Sequence, residues 1–119
     1  MSSFRFQNLE IWKRGAQLNR ECFDLADQLE ARRMFRFAEQ LRSAALSITN
    51  NIAEGSGSSS NSDFANFLNF SRRSVFETAN MLQLLTANGY METTQTEPLL
   101  KELEELSRMI TSFKRTLKK

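Results

Sequence analysis

The side chains able to do chemistry are few, and each also has a plain structural use. Glu54 and Glu77 are carboxylates of the kind that serve as general acid and base. That work needs two groups held together with separated pKa values, and no spacing in the chain brings this pair together. A structural role, with the Asn50 and Asn51 amides as partners, is the competing reading. Gly55-Ser56-Gly57 has the composition of a phosphate cradle. Such a loop follows a strand and runs into Lys-Ser/Thr, whereas this one follows a helical stretch and continues as Ser58-Ser59-Ser60. It reads as a flexible connection. Arg72 and Arg73 stand beside Phe70 like a basic-aromatic patch, but adjacent helical residues point about 100° apart, so at most one shares a face with that ring.

The chain has no histidine and one cysteine, Cys22. Without histidine, most zinc and non-haem iron sites and the usual general base are excluded, so no metal, cofactor or enzymatic activity is expected. Cys22 has no intrachain partner and falls on an apolar stripe, as a small core residue would. A chain of 119 residues suits one domain with one core. It holds no long apolar run and no leader-like start, so a cytoplasmic protein with no membrane partner is expected.

Four helices must position these residues. The first is predicted over 8–31, where Ile11, Gly15, Leu18, Cys22, Leu25 and Leu29 recur at alternating intervals of four and three. Arg32-Arg33-Met34 is the first connection, without Gly or Pro. The second helix, over 35–54, repeats the seam with Ala38, Leu41, Ala45, Ile48 and Ile52, and Gly55 suits the left-handed position after its end. Ser62 reads as the cap of a third helix over 63–88, with Asp63 favoured at its positive end. That helix carries Phe64, Leu68, Ser71, Val75, Thr78, Leu82 and Leu85, and Gly89 follows it. The fourth, over 94–117, carries Leu99, Leu103, Leu106, Ile110, Phe113 and Leu117, with Pro98 in its first turn. Four such seams with short connections predict an all-α, antiparallel up-down-up-down four-helix bundle in a single domain. The ten phenylalanines, at helical spacing, read mostly as core.

Two patterns exceed what a bundle core requires. On the third helix, Phe67, Phe70, Ser74, Glu77, Met81 and Leu84 form a second seam beside the first. It is either a broad core face or a contact with another subunit, in which Phe70, Met81 and Leu84 would lie. The second pattern is charge. In this topology residues 1–20, 46–73 and 108–119 share one end, with eleven basic and three acidic side chains. The remainder holds five basic and eleven acidic, for a chain total of +2. Lysines near the end of the last helix would complement its dipole, but Lys13 and Arg14 sit at a helix start, where cations are disfavoured. Their placement points to an anionic partner.

The segment Gln40 to Gly55, Q-L-R-S-A-A-L-S-I-T-N-N-I-A-E-G, precedes Asp63-Phe64 and Phe67-Leu68. With Phe4 to Lys13 and Asn88-Gly89-Tyr90, it resembles the four-helix-bundle proteins encoded in 23S ribosomal RNA intervening sequences. Those are similar in turn to the accessory bundle proteins of diversity-generating retroelements. Two departures are Thr49, where the family commonly has Pro, and Ser58-Ser59-Ser60 in place of a more basic connection, which weakens any case for that loop as an RNA contact. The resemblance implies a homopentamer of uncharacterised role in an RNA context. The resulting expectation is a non-enzymatic oligomeric bundle that binds RNA through Lys13, Arg14, Lys114, Arg115 and Lys118. The alternative is a protein-interaction scaffold using exposed apolar seams.

Overall fold

Each predicted seam becomes the buried stripe of one helix. The computed structural model describes residues 3–117. In it a single 3-10 turn, Arg5–Asn8, precedes α1 (Glu10–Ala31), α2 (Phe35–Ser56), α3 (Asn61–Ala87) and α4 (Thr93–Thr116). No strand occurs among the described residues. Ile11, Leu18, Cys22, Leu25 and Leu29 of α1 are buried with Ala38, Leu41, Ala45, Ile48 and Ile52 of α2. They meet Phe64, Leu68, Val75, Leu82 and Leu85 of α3 and Leu99, Leu103, Leu106 and Ile110 of α4 in one core. Each helix packs on its chain neighbours, α1 closes more lightly on α4, and the diagonal pairs keep their backbones apart. With connections this short, that is an antiparallel up-and-down bundle. It measures 47 × 29 × 20 Å.

The connections depart from the sequence expectation in three places. Gly55 does not end α2. It is buried inside the helix, where a Cβ would stand 2.6 Å from Phe67 Cβ and 2.8 Å from Phe64 Cδ1. The glycine is there for close helix approach, and α2 continues to Ser56. The cap of α3 is Ser60, not Ser62: Ser60 Oγ accepts from the Asp63 N–H at 3.1 Å. Asp63 still lies in the first turn. α4 begins at Thr93, which puts Pro98 in its second turn. There the missing N–H leaves the Thr94 carbonyl without its helical donor. Gly89 does take the left-handed conformation, φ 81°, after α3. The Tyr90 N–H then reaches Leu85 O and the Gly89 N–H reaches Thr86 O. The glycine-free first connection is built the same way, with Arg33 at φ 65°. Met34 donates to Leu29 O and Arg33 to Glu30 O. Both are Schellman closures.

Small polar side chains set the register between helices. Ser71 donates to Ile48 O at 2.7 Å, and Ser74 to Ser47 Oγ at 2.8 Å, joining α2 to α3. Asn19 donates to Thr49 Oγ1 at 2.8 Å across α1 and α2, and the Thr86 and Thr96 hydroxyls meet at 2.8 Å across α3 and α4. On the α1–α2 surface, Arg42 holds Asp27 at 2.7 Å and Glu30 at 2.8 Å. Burial pushes the Cys22 thiol up to about 12, so this cysteine is a packing residue and not a nucleophile. None of the described residues forms a helix long and apolar enough to cross a membrane.

Candidate functional site: a basic end and an exposed aromatic side

The end where α1 and α3 begin and α4 finishes is closed by aromatic rings. Phe64, the first buried side chain of α3, meets Phe113 of α4 edge-on at 5.6 Å. The N-terminal 3-10 turn lies across this end, with the Arg5 guanidinium 5.1 Å over the Phe64 ring. Phe6 packs against Trp12 at 5.0 Å, and Phe4 stacks on Phe6 at 5.7 Å.

The cations expected here are not equivalent. Lys13 and Arg115 are exposed, Lys114 is half-buried, and none of the three has an ion-pair partner among the described residues. Lys114 and Arg115 occupy the last turn of α4, where the helix dipole favours them. Arg14 differs: its guanidinium is paired with Glu105 of α4 at 3.1 Å. It ties two helices together and presents less free charge than its sequence position suggests. Arg108 likewise pairs with Glu104 at 3.2 Å. Lys118 lies outside the described residues.

The α2–α3 side carries the other predicted group. Phe70 is 46% exposed and Leu84 is 54% exposed, while Met81 is half-buried against the core. They fall in two separate depressions. Met81 and Leu84 line one with Phe37, Gln40, Asn80 and Tyr90. Phe70 lines the other with Ser47, Asn51, Arg73, Ser74 and Glu77. Phe37 and Tyr90, whose rings stack at 6.4 Å, also belong to this surface: the sequence places Tyr90 only in the turn at Gly89 and the phenylalanines mostly in the core. That expectation is overturned. Of the ten phenylalanines only Phe64 is buried, and Phe4, Phe35, Phe37, Phe70 and Phe76 are exposed. The readable signal was position: Phe35 and Phe37 lie off the seam of α2.

Arg73 is the one of the two adjacent arginines that shares a depression with Phe70. Arg72 turns away and lies 4.9 Å over the Phe76 ring. Glu54 and Glu77 line different depressions, and neither makes an ion pair or side-chain hydrogen bond among the described residues. The Asn51 amide bonds Ser47 instead of either carboxylate. Glu21 is raised from its ordinary value by partial burial and by the nearby Glu102 and Asp24 carboxylates, with Arg20 opposing. Among the described residues no cluster of His, Cys, Asp and Glu could hold a metal ion, and no Asp, Glu, Lys or Arg is buried. What the surface offers is unpaired positive charge at one end and open aromatic and aliphatic faces along one side.

No curated protein matches the chain. A solved structure of a protein with unknown function from the S23 ribosomal protein family of Bacteroides thetaiotaomicron VPI-5482 shares the fold, with a TM-score of 0.82. It is 24% identical, over 87% of this chain and 96% of the other. The family described as 23S rRNA-intervening sequence protein matches residues 7–112, which takes in all four helices nearly to the end of α4. This four-helix bundle is therefore a member of the 23S rRNA-intervening sequence protein family.

Proposed function

We propose that this chain is a non-enzymatic, self-associating bundle that binds RNA through its basic end and acts in the cytoplasm. The observation that supports this most is the segregation of charge, with Lys13, Lys114 and Arg115 left unpaired beside the N-terminal turn. Cations left free at one end, while acids collect elsewhere, create the field that attracts a phosphate backbone. The family name sets its members in an RNA context. Self-association would place several such ends side by side and multiply the field, and a ring of five is the assembly that the family resemblance implies.

Salt-dependent binding to unrelated RNAs tests the basic end. Replacing Lys13, Lys114 and Arg115 by Gln should weaken binding about equally for all sequences, because phosphate contacts carry little sequence information. The slope of log affinity against log salt should flatten by roughly 0.7–0.9 per lost contact. Lys101→Gln, on the exposed surface of α4 away from this end, should change neither. Equal losses per residue at both places, or no binding at low salt, would overturn the proposal.

The exposed apolar side favours a second reading, a scaffold for helical partners, and self-association separates the two uses of that surface. Sedimentation should show one species well above monomer mass. Phe70→Glu and Leu84→Glu should each shift it toward monomer, since both side chains are exposed and their replacement leaves the core intact. A wild-type chain that stays monomeric at high concentration would assign the surface to a different protein.

A further inference from the structure

The N-terminal turn carries a feature that folding does not account for. Phe4 is 70% exposed, the most open of the large apolar side chains among the described residues. Its ring is nonetheless ordered into a stack. It lies 14° from parallel with Phe6 at a centroid distance of 5.7 Å, and Phe6 in turn packs on Trp12 at 5.0 Å with the rings tilted by 58°. Phe6 and Trp12 are half-buried and seal the start of α1, but Phe4 adds almost no buried area to that seal. The backbone holds it in place from both sides. The Phe4 N–H donates to Gln7 Oε1 at 2.6 Å, and the Phe4 carbonyl accepts from the Gln7 N–H at 3.1 Å. With its backbone held, the residue presents its ring to solvent from a fixed anchor, which lowers the ordering cost of binding.

Resting on the RNA reading of the basic end, we infer that Phe4, Phe6 and Trp12 form a stacking platform for unpaired bases of single-stranded RNA. Lys13, at the start of the helix that carries Trp12, is exposed and has no ion-pair partner among the described residues, so free positive charge is present at the same end of the bundle. Aromatic rings beside unpaired positive charge are how single strands are held without sequence preference: phosphates go to the cations and bases continue the stack. Duplex RNA keeps its bases stacked on one another and offers the ring nothing, so the platform selects ends, loops and bulges.

Trp12 is the sole tryptophan, which makes its fluorescence a direct reporter. The full-length chain would be titrated with single-stranded oligo(A) and with a GC duplex of equal length. Oligo(A) should quench Trp12. Phe4→Ala should weaken oligo(A) binding roughly tenfold, the effect of losing one stacked base. It should leave duplex affinity and the salt slope unchanged, and Phe4→Trp should restore binding, measured by anisotropy of labelled RNA. If Phe4→Ala binds oligo(A) like wild type while Lys13→Gln still weakens it, the platform is refuted and the basic-end reading stands. If wild type binds neither RNA at low salt, the basic-end reading fails and the platform falls with it. If Phe4→Ala lowers the sedimenting mass without altering RNA affinity, the ring belongs to a subunit contact and the inference is overturned.

Discussion

Phe64→Ala should destabilise the bundle by about 3–5 kcal/mol, while Phe76→Ala should cost no more than about 1 kcal/mol. The two residues have the same side chain on the same helix, twelve positions apart. Phe64 is 1% exposed, under Arg5, edge-on to Phe113 and against Gly55. Truncation there leaves a cavity that three surrounding elements cannot close and removes an aromatic pair worth roughly 1 kcal/mol by itself. Phe76 is 55% exposed and loses mainly its contact with the Arg72 guanidinium. That cation–π contact contributes about 0.5–1 kcal/mol at an open site. Urea unfolding at one fixed protein concentration measures both, since stability in a self-associating chain depends on concentration. Comparable losses at the two positions would mean that the α3–α4 side is covered in solution.

Gly55→Ala should lower stability by about 2 kcal/mol although it places a better helix former in the last turn of a helix. Propensity alone predicts a gain of at most roughly 1 kcal/mol, the value for a helix interior. Against it stands a methyl group 2.6 Å from Phe67 Cβ, an atom fixed to the α3 backbone, so the two helices themselves must move apart. Overpacking of this kind costs typically about 1–3 kcal/mol and at times more. Gly55→Val, which adds bulk without the propensity gain, should cost more than Gly55→Ala. A second clash, 2.8 Å to Phe64 Cδ1, involves the movable end of a ring. Part of the loss should therefore return when Phe64→Leu is combined with Gly55→Ala, and such non-additivity in a double-mutant cycle is the sign of direct contact. A stabilised Gly55→Ala protein would mean that α2 and α3 do not approach closely at this position, and it would equally exclude a left-handed glycine there. The same substitution bears on assembly, because Phe67 meets Phe70 edge-on at 6.1 Å and displacing α3 would move the proposed subunit surface.

The seams, the number of helices and their antiparallel order could be read from the spacing of Ile11 to Leu29, Leu41 to Ile52, Phe64 to Leu85 and Leu99 to Ile110. A helix imposes its period locally, so burial at one seam position implies burial three or four residues on. The turn at Gly89 was legible for the same reason, since its requirement is a property of its own backbone. The excess of positive charge at one end also followed once the order of the helices was known. Tertiary structure decided everything that depends on a distant neighbour. Arg14 is occupied by Glu105, a partner 91 residues away. Gly55 is required by Phe64 and Phe67 on the next helix and not by the end of its own. Whether the flank of a seam is covered depends on how closely the adjoining helix lies, and here the bundle is tightest between α2 and α3 and lightest between α1 and α4. Hence four phenylalanines of α2 and α3 face solvent, and Phe4 stands stacked at the basic end. Periodicity names the face that must be buried, but only packing shows which apolar side chains remain outside it.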